Sequence, residues 1–124
     1  MLKSGIKLIS DSMESLHLAY NFGEFNEFPS YPYFVGEYQE FESMNEDGFL
    51  ETSFMITGYS RNSWLELENA KDLIRKEFGT VEGKTVISES EVTGVYYSNA
   101  QIIPTGDAEL KKIQINLDII EWSE

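Results

Sequence analysis

Cysteine is absent from this 124-residue chain, which excludes disulfides, thiolate zinc sites and cysteine nucleophiles. Histidine is nearly absent. His17 stands alone, without the partners of a catalytic triad or metal site, and reads as a surface or helix-end residue. No apolar run reaches the roughly 18 residues that span a bilayer, and the N-terminus lacks the unbroken apolar stretch of a signal peptide. Gly36, Gly48 and Gly58 stand singly, so there is no glycine-rich phosphate loop.

Positive charge is also scarce. Nine Lys and Arg stand against 22 Asp and Glu, for a net charge of −13. From Lys7 to Arg61 no Lys or Arg intervenes, while that interval holds Asp11, Glu14, Glu24, Glu27, Glu37, Glu40, Glu42, Glu46, Asp47 and Glu51. Such a surface repels phosphate backbones and anionic lipid, so neither specific nucleic-acid binding nor membrane binding is expected. Its ordinary role is solubility; its sharper role is to meet a basic partner or to avoid sticking to nucleic acid.

What is present is enough for one domain over residues 1–124. With 41% hydrophobic and 14% aromatic residues the chain lies well above disordered compositions. Leu2, Ile6, Ile9, Met13 and Leu16 recur at spacings of four and three, which predicts an amphipathic helix over about residues 3–17. A short strand follows over 18–22, then a Gly/Pro/Asn-rich connection. Pro29 and Pro32 turn the chain into a strand over 33–41. Asn45-Glu46-Asp47-Gly48 carries a hairpin-turn signal, and Leu50, Thr52, Phe54 and Ile56 then alternate with Glu51, Ser53, Met55 and Thr57 as a strand with one apolar face.

Ser63 and Glu66 form a capping-box pair ahead of a second helix, whose stripe is Leu67, Ala70, Leu73 and Ile74 and whose stop is Gly79. Glu68–Lys71 and Asp72–Lys76 add favourable neighbours on its surface. Short strands are predicted over 85–88, 92–97 and 100–103. A final strand over 110–122 alternates strictly through Ile113, Ile115, Leu117 and Ile119. The expected fold is α/β, of α+β type: a mostly antiparallel β-sheet with two helices packed on one face.

Chemistry is much less visible. Asn45-Glu46-Asp47-Gly48 lacks the spacing and terminal Glu of a calcium loop, and Thr105-Gly106-Asp107 reads as a turn. Carboxylate pairs such as Glu37/Glu40 and Glu40/Glu42 arise by chance in so acidic a chain. No catalytic residue, metal site or cofactor is expected. Trp64 and Trp122 are assigned by default to the core. Tyr31, Tyr33, Phe34, Tyr38, Tyr96 and Tyr97 are too many to bury, so Tyr33, Phe34, Tyr38, Tyr96 and Tyr97 form the candidate interface.

The order helix, Pro-Tyr strand entry, long hairpin, capped helix and terminal strand resembles the tail terminator (tail-completion) proteins of long-tailed phages and prophages. The resemblance rests on Tyr31-Pro32-Tyr33-Phe34-Val35-Gly36, on Phe54-Met55-Ile56-Thr57-Gly58-Tyr59-Ser60 running into Ser63-Trp64-Leu65, and on Leu110-Lys111-Lys112-Ile113-Gln114-Ile115-Asn116-Leu117 with Glu121-Trp122. It implies a non-enzymatic virion subunit that assembles as a ring of six subunits. That ring caps the tail tube and joins it to the head–tail connector protein, in the host cytoplasm during assembly and then in the virion tail. Glu42, Glu46 and Asp47 would form an acidic loop facing the lumen or solvent, where like charge lets DNA pass without adhesion. The alternatives are another neck or head–tail completion protein, or a monomeric acidic protein-binding module.

Overall fold

A computed structural model describes residues 1–25, 30–40, 50–61 and 63–123. The expected turn at Asn45–Gly48 and the acids Glu42, Glu46 and Asp47 lie outside the described residues. The elements are α1 (Lys3–Ser15), β1 (Tyr20–Phe22), β2 (Tyr33–Glu40), β3 (Leu50–Ser60), α2 (Trp64–Phe78), β4 (Lys84–Ile87), β5 (Glu91–Ile102) and β6 (Lys111–Ser123). They form a mixed, mostly β fold. The strands make one six-stranded sheet in the order β1-β2-β3-β6-β5-β4, antiparallel throughout except for the parallel β1–β2 pair.

Sheet register follows the alternation of apolar residues. Phe54, Ile56, Ile113, Ile115, Leu117 and Ile119 are almost completely buried, while Met55, Thr57, Gln114 and Asn116 between them are only half-covered. Ile56 pairs with Ile115, and Phe54 with Leu117, so the branched side chains of the two central strands meet directly. Leu67 and Ile74 of α2 join the same core cluster, as do Ile9 and Met13 of α1. Two glycines admit close approaches within it. A Cβ on Gly36 would stand 2.3 Å from Tyr20 Oη, and one on Gly58 would stand 2.5 Å from the Phe34 ring.

Both helix ends are explained by local bonds. Ser63 Oγ accepts from the backbone N–H groups of Leu65 (3.1 Å) and Glu66 (3.4 Å), capping α2. The Glu66 carboxylate accepts from Ser60 Oγ at 2.7 Å, which ties the helix start to the end of β3. Gly79 ends α2 at φ 74°. α1 has no side-chain cap of its own; its Leu2 N–H donates to Glu121 Oε2 at 2.6 Å, and Glu121 is only 4% exposed. A carboxylate at this end complements the positive pole of the helix.

The other end of α1 closes as a Schellman motif. His17 N–H donates to Glu14 O and Leu18 N–H to Met13 O, with His17 at φ 58°. Met13 is buried, and Leu18 packs against the core cluster, supplying the apolar contact that usually accompanies the motif. Lys84 then links three elements, bonding Ser12 Oγ of α1 at 2.9 Å and the Glu77 carboxylate of α2.

Several sequence expectations are corrected. The strands expected over 92–97 and 100–103 are one strand, because a bulge between Tyr97 and Asn99 absorbs the break and pairing with β6 resumes. Leu73 is 43% exposed, since it lies one residue off the stripe set by Leu67, Ala70 and Ile74. Trp64 and Trp122 are 37% and 41% exposed. Trp64 is the first residue of α2, and Trp122 alternates with the buried Glu121.

Candidate protein interface

Residues of the less-covered positions meet across β2, β3 and β6 at one end of the sheet. Tyr33 pairs in register with Tyr59, and Tyr59 with Lys112. The Tyr33 and Tyr59 rings stack at 4.9 Å and 23°. Tyr31 extends the row against Tyr33 at 5.3 Å, and Phe25 meets Tyr33 edge-on at 5.6 Å and 80°. Cations close both sides: Arg61 lies 5.6 Å from the Tyr31 ring centre, and Lys112 Nζ lies 5.5 Å from that of Tyr59. On the opposite face, where Lys111 pairs with the buried Ser60, Lys111 Nζ is 5.7 Å from the Trp64 ring, whose indole borders a shallow pocket with Ile102, Pro104 and Leu110.

The electrostatics of this corner are unlike those of the rest of the chain. Two of the nine Lys and Arg residues flank the tyrosine row, Arg61 and Lys112. Arg61 is loosely shared by Asp107 at 3.7 Å and Glu109 at 3.9 Å. Lys111 also donates to the Ala108 carbonyl oxygen, whereas Lys112 makes no ion pair among the described residues. The Tyr33 phenol is held above its usual pKa, chiefly by burial and further by Tyr31 and Tyr59, with Arg61 opposing. It is therefore a neutral hydroxyl at physiological pH.

The candidate interface residues are not brought together. Tyr33 belongs to the stacked row. Phe34 is 0% exposed and packs in the core, so its assignment to an interface is corrected: successive strand residues point to opposite faces, and Phe34 takes the buried one. The same rule separates Tyr96, which is half-covered over Gly83, from Tyr97, which is 9% exposed beneath Arg75. Tyr38 is 39% exposed and stacks on Phe22 at 5.9 Å, but it lies on the face opposite Tyr33. Tyr59, Arg61 and Lys112 join the row without being among the residues expected at an interface. The signal was there for Tyr59, which falls in phase with Ser53, Met55 and Thr57.

Elsewhere the described residues hold no group of three or more His, Cys, Asp or Glu placed to bind a metal ion. Among the described residues no helix is long and apolar enough to cross a membrane. Among the described residues, three buried polar atoms lack a hydrogen bond: Tyr20 Oη, Thr52 Oγ1 and Glu121 Oε1. Burial pushes the Tyr20 phenol up to about 12; Ser10, the polar neighbour, pulls the other way. His17 lies in the exposed turn after α1 and borders a shallow groove with Glu14 and Tyr20. Comparison with known proteins gives no matching family model and no matching curated sequence.

Proposed function

We propose that this protein is a structural subunit of a phage or prophage virion, capping the tail tube as a ring and joining it to the head connector. The observation that supports a structural role best is the aromatic row Tyr31–Tyr33–Tyr59 flanked by Arg61 and Lys112. Stacked tyrosines with cations over their rings give rigid contact area without any group poised for proton or group transfer. On this reading the protein is not an enzyme and uses no cofactor. Its partners are its own copies, a tail tube protein and a connector protein.

The arrangement of layers fits such a role. Ile9 and Met13 of α1 and Leu67 and Ile74 of α2 share one core cluster with the apolar residues of the sheet, which supports a reading in which the face carrying Tyr33, Tyr59 and Lys112 is left for partners. A short β1 and a short β4 at the two sheet edges limit uncontrolled edge pairing. The acidic remainder of the surface disfavours adhesion to DNA passing through a ring. The test is assembly of tail tube protein with and without this chain, with tube lengths read by electron microscopy. Added protein should stop elongation at one end and give shorter tubes; tubes of unchanged length with no bound cap would overturn the reading.

The second reading, a monomeric acidic binding module, is favoured by the separation of charge between the acid-rich interval and the cationic corner. Sedimentation distinguishes it. A module stays monomeric with its partner bound one to one, whereas a ring subunit multiplies.

A further inference from the structure

We propose that the free edge of β1, with the groove between it and α1, binds an extended basic segment of another protein by strand addition. β1 opens the sheet order and pairs with β2 on one side; among the described residues no strand pairs its other side. The bonds of a parallel pair use every second residue of each strand. Phe34 N–H donates to Ala19 O and Gly23 N–H to Gly36 O, each at 2.8 Å, so Ala19, Asn21 and Gly23 are the residues whose backbone faces β2. The N–H and C=O groups of Tyr20 and Phe22 therefore point away from the sheet, a free row of donors and acceptors for one more strand.

The groove follows that edge. Ser10 and Glu14 of α1 line it, together with Tyr20, Asn21, Phe22 and Phe25. Tyr20 and Phe22 point to one face of the sheet and Asn21 to the other, so a groove reached by all three runs along the edge rather than over a face. Tyr20 packs against the core cluster that includes Ile9 and Met13 of α1, and Phe22 stacks on the buried Phe54. Residues of an added strand that stand opposite Tyr20 and Phe22 turn to the same side. A Lys or Arg at one of those positions reaches Glu14, and an apolar residue at the other covers Phe22, which is 37% exposed.

Charge selects the occupant. Glu14 and Glu24 are exposed and make no ion pair among the described residues. Lys7, the Lys nearest to Glu14 along α1, is held by Asp11 at 2.7 Å. A second copy of this chain does not supply the complement. Its Lys and Arg stand on the two helices, at Arg61, in the interior strand β6, or at Lys84. Lys84 does lie on the opposite edge strand, β4, but it is bonded to Ser12 and Glu77. The occupant is accordingly a segment of a different protein, with Lys or Arg two residues from an apolar side chain. This goes beyond the tail reading and does not rest on it.

The test uses the full chain and the labelled peptide Lys-Thr-Val-Thr-Lys-Thr-Val-Thr, beside its counterpart with Glu for Lys. Fluorescence anisotropy should show the basic peptide binding, more weakly as salt rises, and the acidic one not binding. Glu14→Lys should weaken binding about tenfold, because it exchanges attraction for repulsion. Phe22→Pro removes one outward N–H but none of the β1–β2 bonds, which proline tolerates on an edge strand. It should bind about tenfold more weakly than Phe22→Ala, which loses the same ring and keeps that N–H. Circular dichroism checks that each variant is folded.

Amide exchange gives a reading that needs no variant. Bound basic peptide should slow exchange of the Tyr20 and Phe22 N–H groups at least about tenfold and change that of Asn21, which faces β2, much less. Failure of the basic peptide to bind, equal binding of the two peptides, binding indifferent to Glu14→Lys, or unchanged Tyr20 and Phe22 exchange would each overturn strand addition here. Protection of those two amides in concentrated protein without peptide would give the edge to a second copy and overturn the choice of partner.

Discussion

Along β3 and β6 the two faces of the sheet are made from alternate residues of the same strands, yet they obey different rules. One face is Phe54, Ile56, Ile113, Ile115, Leu117 and Ile119, apolar and shut from water, with the polar Thr52, Ser60 and Glu121 buried toward its ends. The other runs from Tyr59 and Lys112 through Gln114 and Asn116 to Asp118, where Asn116 Nδ2 donates to Asn99 Oδ1 at 2.6 Å and Gln114 Nε2 to Asn116 Oδ1 at 2.9 Å. Burial dictates the first face, because a register slip of one residue would carry Gln114, Asn116 and Asp118 into the core. Nothing comparable dictates the second. It is free to hold chemistry, and the stacked tyrosines and cations at its end occupy that freedom.

The largest test of this division is truncation. Leu67→Ala or Ile115→Ala should lower the unfolding free energy by about 2–5 kcal/mol in urea titrations, because each leaves a cavity among fully buried neighbours. Gln114→Ala, one residue away on the other face, should cost much less, about 0.5–1.5 kcal/mol, the net worth of its bond to Asn116. Equal losses at Ile115 and Gln114 would erase the distinction between the faces.

That distinction also explains what could be read from sequence. The apolar phase of β3, β6 and α2 was legible because burial acts at every second or every third-to-fourth residue, and Leu67, Ile74, Phe54, Ile56, Ile115 and Leu117 do share one core. Strand β5 was split in two because its bulge interrupts the alternation, and a bulge leaves little trace in residue type. The stacked row was missed for a different reason. Tyr33, Tyr59 and Lys112 are neighbours only through pairing of three strands, and one sequence gives no cross-strand register. Phe34 is not distinguishable from Tyr33 by aromatic content alone, because only the phase of the strand decides which of two neighbours is buried.

A second test concerns Tyr20, whose hydroxyl is the flaw in the buried layer. Its phenol ionises near 10.0 when exposed and near 12 in the folded chain. The folded value is the higher one, so its contribution is intact below pH 10 and is lost progressively as pH rises toward 12. Partial exposure limits that loss to about 2 kcal/mol or less. Tyr20→Phe should flatten this part of the pH dependence relative to wild type. At neutral pH it should leave stability unchanged or raise it by about 1 kcal/mol, because an unpaired hydroxyl leaves the interior. A clear loss at neutral pH would mean that the hydroxyl has a partner and that this site belongs with the ordered polar contacts.

A smaller effect is expected at the start of α2. Ser63→Ala removes the acceptor for the Leu65 and Glu66 N–H groups and should cost about 1 kcal/mol. Ser63→Asp should keep most of it, since a carboxylate serves the same two donors and suits the helix pole. If alanine were harmless, the bond from Ser60 to Glu66 would be what holds this helix start against β3.

The smallest effect should be at His17, and there the backbone rather than the imidazole matters. His17 occupies the left-handed position of the Schellman turn at φ 58°, exposed, with its N–H bonded to Glu14 O. His17→Ala keeps an L side chain at that position and should shift stability by less than about 0.5 kcal/mol. His17→Gly relieves the steric cost of positive φ and should raise stability by a few tenths to about 1 kcal/mol, offset in part by the greater freedom of glycine in the unfolded chain. Thermal unfolding of the two variants measures this order. Neither should alter self-association or tube capping, because the turn lies outside the cationic corner. An activity present in the wild type and abolished by His17→Ala would give the imidazole a chemical role and overturn the structural reading of the protein.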